Sequence, residues 1–213
     1  MAHSGIFWYN ENMTATNTQS TTTNTSTLAP KNVGGKSELM DAGKILSELL
    51  QIKKGDMVGD LGAGGGLFLL QAARLVGDQG QVYAVDVVKN ILSELDSKAR
   101  LSGLNNIKTV WSNLEIIGAT KINSETLDSA ILVNILYQSE KHFEIMSEAT
   151  RLLKVNGKLL IIDWAENDLS FGPAKERLAK PEELMNIASQ LNLELLQQFK
   201  AGPYHFGLIF VKK

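Results

Sequence analysis

The chain has no cysteine, so disulfides, thiolate metal sites and cysteine nucleophiles are excluded, while the redox compartment stays open. Only three histidines are scattered along its 213 residues, so no metal site is expected. Neither sign of charge is in excess: 21 Lys and Arg stand against 23 Asp and Glu, for a net charge of -2. That balance carries no footprint for duplex nucleic acid, so no nucleic-acid partner is expected. No apolar run is long enough to span a bilayer, and the N-terminus lacks a basic segment followed by a long apolar stretch. The expectation is a chain with no membrane partner, in the cytoplasm, as a monomer or homodimer. What remains is a 44% hydrophobic, 21% charged sequence of the size of one well-buried domain.

From Asn10 to about Lys36, Thr, Asn and Ser dominate and large apolar residues are few, so residues 1–36 read as a loosely ordered tail and residues 37–213 as the domain. Within the tail, Ile6-Phe7-Trp8-Tyr9 is a compact apolar patch, either a lid over a substrate pocket or an incidental terminus. Asn12-Met13-Thr14 and Asn24-Thr25-Ser26 match the glycosylation sequon, as a Thr- and Asn-rich stretch does by chance.

Beyond the tail, elements alternate. Ser37 is placed to cap a helix with Leu39, Ala42, Leu46, Leu49 and Leu50 on one face. Met57 to Asp60 reads as a strand, Leu67 to Val76 as a helix, Val82 to Val85 as a strand, Lys89 to Ser102 as a helix and Ile107 to Trp111 as a strand. Leu127 to Val133 and Lys158 to Ile162 are apolar runs of the kind found in central parallel strands. They flank a helix from Glu140 to Leu153 with Phe143, Met146, Ala149 and Leu153 inward. Pro181 opens a last helix to about Leu191, and then Leu193 to Phe199 and Phe206 to Val211 are joined too tightly to be anything but antiparallel. The pattern predicts an α/β fold, a parallel sheet covered on both faces that ends in an antiparallel hairpin.

The chemistry concentrates in Val58-Gly59-Asp60-Leu61-Gly62-Ala63-Gly64-Gly65-Gly66, at a predicted strand-to-helix turn. Glycines there let the backbone turn sharply and approach a ligand, whose near end then meets helix N-terminal N–H groups. Asp60 in front of them repels a pyrophosphate and suits an ammonium or a hydroxyl-rich ligand. Asp86, at the tip of the second strand and at a spacing that suits a βαβ unit, can accept two hydrogen bonds from a ribose diol. Both carboxylates also have ordinary readings, as a helix cap and as a turn residue.

From Ser37 onward the chain resembles the class I S-adenosylmethionine-dependent methyltransferases, and among them the ubiquinone/menaquinone-methyltransferase-like, type 11-like branch. Asp60-Leu61-Gly62-Ala63-Gly64-Gly65-Gly66 stands where that family has its acidic-x-Gly-x-Gly-x-Gly loop. Asp86, followed by Val87, stands where it has the ribose-binding carboxylate. Arg151 to Leu159 resembles its Arg-Val-Leu-Lys-Pro-Gly-Gly segment, with Val155 and Asn156 departing from it. The resemblance implies a Rossmann-like, seven-stranded, mostly parallel sheet and S-adenosyl-L-methionine as cofactor. It implies that Asp60, Gly62, Ala63, Gly64, Gly66, Asp86, Val87, Asn113, Leu114 and Asn134 bind that cofactor. Asn113 stands where an acidic residue commonly reads the adenine amino group; its amide oxygen can still accept that bond, or it is a plain turn residue.

The acceptor is expected to be a small molecule bound beyond the carboxyl ends of the strands. Tyr137 is a candidate to orient it or to face the sulfonium, and His205 a candidate general base; Trp164, Glu166 and Tyr204 are further candidates, and residues 167–180 a cover. Each also has a purely structural reading. Methyl transfer needs mainly in-line geometry at roughly 3–3.5 Å, so the lack of a catalytic triad is consistent with it. Two other readings stand open: a nicotinamide-dependent oxidoreductase, which also uses a glycine loop followed by an acid, and a non-catalytic cofactor-binding partner subunit.

Overall fold

In a computed structural model of the chain, described for residues 40–165 and 172–213, every strand expected from the sequence is present. They are β1 Met57–Leu61, β2 Gln81–Asp86, β3 Ile107–Trp111, β4 Leu127–Val133, β5 Leu153–Trp164, β6 Leu193–Lys200 and β7 His205–Lys212. They form one seven-stranded sheet in the order β3-β2-β1-β4-β5-β7-β6. β1 to β5 run parallel to one another, while β7 lies antiparallel between β5 and β6. The four-residue gap after β6 permits only that return. The strand order reverses between β1 and β4, which opens a crevice beyond their carboxyl ends.

Helices cover both faces. α1 Ala42–Lys44 and the π-helical turn Ile45–Leu50 that continues it, α2 Leu67–Val76 and α3 Lys89–Leu101 pack on one side over Val58, Val82, Ala84, Ile131 and Leu160. α4 His142–Leu152 and α5 Pro181–Gln190 pack on the other over Ala130, Leu132, Leu159, Ile161 and Phe210. Successive β5 residues alternate between the two cores, the period of two that a strand buried on both faces requires.

Several local readings are corrected. The first described helix is capped by Asp41, whose carboxylate accepts the Lys44 N–H at 3.0 Å; Ser37 lies outside the described residues. Phe143 is 43% exposed rather than inward, because α4 turns Ile145, Met146, Ala149 and Leu152 to the core. β5 begins at Leu153, five residues earlier than the apolar run, because Leu153 already pairs with Leu127 ahead of an irregularity in the ladder. That irregularity holds Asn156 at φ 65°, a left-handed conformation that Asn tolerates better than most residues other than Gly. The tail at 1–36, its apolar patch and sequons, Glu166 and residues 167–171 lie outside the described residues.

Candidate active site

A cleft of about 570 Å³ opens at the strand-order reversal, within the usual range of small-molecule sites. All ten residues expected at the cofactor line it: Asp60, Gly62, Ala63, Gly64, Gly66, Asp86, Val87, Asn113, Leu114 and Asn134. The folding reason is that the carboxyl ends of β1, β2, β3 and β4 lie side by side, so residues up to 74 positions apart meet at one edge.

The glycine loop is held from below by β2: the N–H groups of Gly62 and Ala63 both donate to the Val85 carbonyl, at 2.7 and 3.0 Å. Two of its glycines are needed for shape. Gly62 has φ 87° and a Cβ there would lie 2.1 Å from Ile135 Cδ1; Gly66 has φ 83° and a Cβ would lie 2.5 Å from Leu95 Cδ2. The loop is thus clasped between the β4 and α3 sides of the crevice, leaving its open face to a ligand.

Electrostatics give the cleft its character. Its ionisable lining is Asp60, Asp86 and Glu115, with no Lys or Arg side chain among the described residues. Asp60 is 3% exposed; burial, with the Asp86 charge adding to it and the Leu69 backbone N–H opposing, pushes its carboxyl up to about 7. Asp86 accepts the Gly64 N–H at Oδ2 (3.1 Å) and the Val88 N–H at Oδ1 (2.9 Å), which fixes its carboxylate against the glycine loop. Lone pairs on both oxygens remain for further donors. Glu115 accepts the Ser139 hydroxyl at 2.7 Å and pairs with Lys141 at 3.2 Å, which hold it below the usual carboxylate range.

Asn113 Oδ1 accepts the Glu115 N–H at 2.9 Å, the turn geometry weighed above as its structural reading, so a second lone pair is what it can still offer a ligand. Two buried oxygens in the lining, Ser112 Oγ and Asn134 Oδ1, have no hydrogen-bond partner among the described residues. A buried polar atom left that way costs about 1–3 kcal/mol, which a ligand donor recovers.

The acceptor-side candidates fall elsewhere. Tyr137 lies in the 3-10 turn Leu136–Gln138 beyond β4, and neither it nor His205 lines this cleft. His205 opens β7 opposite Trp164, with ring centroids 4.5 Å apart. Burial pushes its imidazole down to about 4, so it is neutral near pH 7, and its buried Nε2 has no hydrogen-bond partner among the described residues.

Sequence reasoning missed Asp163, at the end of β5. Its side chain is fully buried; Oδ2 accepts the Leu136 and Tyr137 N–H groups at 3.0 and 3.3 Å, and Oδ1 accepts the Trp164 N–H at 2.8 Å. Burial pushes it up to about 6 despite those bonds and the neighbouring His142. An acid immediately after an apolar strand was its visible signal. Ser112, Glu115, Gln138 and Ser139 were also missed in the lining, since polar loop residues carry no sequence period.

The Arg151 segment serves the frame. Glu148 is fully buried and accepts the Gly118 N–H (2.7 Å), the Thr120 hydroxyl (2.6 Å) and Arg151 Nε and Nη2 (both 2.8 Å). Burial raises its carboxyl, but the Arg151, Thr120 and Gly118 hydrogen bonds outweigh that and hold it below its ordinary value. This network pins the loop after β3 onto α4.

A family model described as a methyltransferase domain matches residues 52–202. Among curated proteins the chain is similar to the "Probable cobalt-precorrin-6B C(15)-methyltransferase (decarboxylating)" of Saccharolobus solfataricus, 34% identical over 113 residues, 53% of this chain and 54% of that one. It is also similar to the ubiquinone/menaquinone biosynthesis C-methyltransferase of Haemophilus ducreyi, 28% identical over 116 residues, 54% of this chain and 44% of that one. The chain therefore spans about half the length of the curated relatives it matches. A solved structure, a SAM dependent methyltransferase from Aquifex aeolicus, superimposes with a TM-score of 0.74 at 26% identity, covering 82% of this chain and 91% of that one. No described helix is long and apolar enough to cross a membrane. With the family model spanning most of the chain, and with this strand order and glycine loop, the chain belongs to the methyltransferase domain family, in the class I, type 11-like branch of S-adenosylmethionine-dependent methyltransferases.

Proposed function

We propose that the chain transfers a methyl group from S-adenosyl-L-methionine to a small-molecule acceptor. The observation that carries this is the pair of carboxylates at a glycine loop of nucleotide-binding shape, Asp86 fixed against the loop and Asp60 buried at its start, with no basic side chain among the described lining residues. That lining repels the pyrophosphate of a nicotinamide dinucleotide and favours an adenosyl ligand that bears cationic groups and no phosphate.

The residues present fit such a ligand. Asp86 is set to accept the ribose hydroxyls, with Val87 beside it; Gly62, Ala63, Gly64 and Gly66 shape the floor. Asp60 would meet the ammonium end, and Asn113 and Leu114 would flank the base; Asn134 Oδ1 and Ser112 Oγ have unfilled hydrogen-bonding capacity among the described residues. When bound, the cofactor supplies an activated methyl on a sulfonium. The protein's task is to place the acceptor in line with it and to exclude water. Tyr137 and His205 are proposed for the acceptor side, since both lie at the same sheet edge, Tyr137 just after β4 and His205 two strands further along at the start of β7. His205 is neutral near pH 7 and can accept a hydrogen bond from the acceptor, while burial, which pushes it down to about 4, makes it a weak base. Small-molecule acceptors, a precorrin and quinones, are named for the curated relatives, which supports the same class here.

Calorimetric titration with S-adenosylhomocysteine tests the cofactor. The expected result is binding that NAD does not compete for, and no binding to folded protein overturns the reading. Transfer of labelled methyl from S-adenosylmethionine into small-molecule extract fractions separates an enzyme from a cofactor-binding partner subunit.

A further inference from the structure

We infer that His142 and Asp163 are positioning residues that grip Leu136 from opposite sides and so set the β4 rim of the cleft. The inference rests on the cofactor reading above for its consequence, and on geometry for the grip.

The Leu136 N–H donates to Asp163 Oδ2 at 3.0 Å, and the Leu136 carbonyl lies 2.9 Å from His142 Nε2. The other imidazole nitrogen, Nδ1, lies 2.9 Å from Glu183 Oε1 at the start of α5. Nε2 thus faces a backbone carbonyl, and a ring with its proton there donates to Leu136. The neighbouring Lys141 is engaged by Glu115 at 3.2 Å. The His142 side chain is 11% exposed and that of Glu183 52%, so the Leu136 contact is the more sheltered of the two.

The grip matters because of what flanks Leu136. Asn134, Ile135, Gln138 and Ser139 line the cleft, and Ile135 packs where a Cβ on Gly62 would lie. The Leu136 carbonyl also accepts the Ser139 N–H at 3.1 Å, and Gln138 Nε2 donates to the Asn134 carbonyl at 2.6 Å. Leu136 itself is fully buried and touches no ligand space. Fixing it at both ends of its peptide fixes the turn, and the turn places the rim.

The test compares the wild-type chain with His142→Leu, which removes the donor, and with His142→Gln, whose side-chain amide can still donate to the Leu136 carbonyl. One readout is amide hydrogen exchange at Leu136 and Tyr137, which reports the turn with no ligand present. The other is calorimetric affinity for S-adenosylhomocysteine. The expected result for His142→Leu is exchange about tenfold faster at these two amides and affinity about tenfold weaker, as loss of one hydrogen bond implies, with His142→Gln restoring both towards wild type. Unchanged values in His142→Leu, or a Gln variant no better than the Leu variant, overturn the inference. A role in stability alone speeds exchange across the chain rather than at these two amides. If His142→Leu does not fold, Asp163→Asn weakens the opposite grip and is expected to speed exchange at the same two amides. Absence of S-adenosylhomocysteine binding by the wild type, alongside faster exchange confined to the turn, refutes the cofactor reading and leaves the grip standing.

Discussion

Binding of an adenosyl amino-acid ligand should expel a proton from Asp60. In the free protein burial holds this carboxyl at about 7 against an ordinary 3.8, a differential cost of about 4 kcal/mol for the charged form at about 1.36 kcal/mol per tenfold. The sign follows from linkage. The folded state binds the proton more tightly than the unfolded chain, so this group's contribution to stability is greatest below pH 3.8 and is lost as pH rises towards 7. An ammonium brought into the cleft reverses the preference, because a nearby positive charge favours the carboxylate. At pH 6 about nine-tenths of Asp60 carries its proton in the free protein, so binding of S-adenosylhomocysteine should release close to one proton there and about a tenth of one at pH 8. Affinity should tighten by about tenfold over the same interval. Titration calorimetry at pH 6 in buffers of differing ionisation enthalpy counts the proton directly, and Asp60→Asn should abolish the release. Tight wild-type binding with no proton exchange at pH 6 refutes the reasoning, as does release that survives in Asp60→Asn.

Asp86→Ala removes the proposed acceptor of two ribose hydroxyls, at about 1.5–3 kcal/mol each, so S-adenosylhomocysteine affinity should fall at least about a hundredfold. Unchanged affinity by calorimetry places the ribose elsewhere. Gly62→Ala forces a Cβ within 2.1 Å of Ile135 Cδ1 at φ 87°, and should destabilise by about 2–4 kcal/mol in denaturant unfolding. Gly65→Ala meets nothing within 4 Å and should leave stability near wild type, so equal losses at the two positions contradict the steric account. Arg151→Met leaves the Glu148 carboxylate, fully buried, short of two donors, and should cost about 3–5 kcal/mol. Because the Glu148 carboxyl sits below its ordinary 4.5 in the fold, the stability it contributes is present above that value and is lost as pH falls through its folded value. Acid unfolding followed by circular dichroism should therefore begin at higher pH in Arg151→Met, and an unshifted acid limb counts against the network.

Much of the site was legible before the structure because its parts are local. A glycine loop, an acid before it and an acid after the next strand are each written in a few consecutive residues, and the βαβ unit between Asp60 and Asp86 is short enough for spacing to imply contact. Phe143 shows where local reading fails. The 3.6-residue period allows either Phe143 or Ile145 with Met146 to face inward, and the neighbouring strands choose the latter. Asp163 and His142 fail in the same way. Neither has a motif, and their partners lie 27 and 41 residues away in sequence.

Alternating apolar strands and amphipathic helices, with a four-residue return after β6, were enough to require a parallel sheet ending in an antiparallel pair, because handed crossovers and tight connections leave few alternatives. The residue types of the loop pointed to a ligand without phosphate but left a nicotinamide dinucleotide open. What needed the assembled sheet was charge in three dimensions. Only when β1 to β4 bring their ends together does burial raise Asp60 to about 7, does Asp163 meet the turn after β4, and do Asp60, Asp86 and Glu115 come to line one cleft. Desolvation and pairwise charge depend on distance through space, and the order of residues along the chain does not specify that distance.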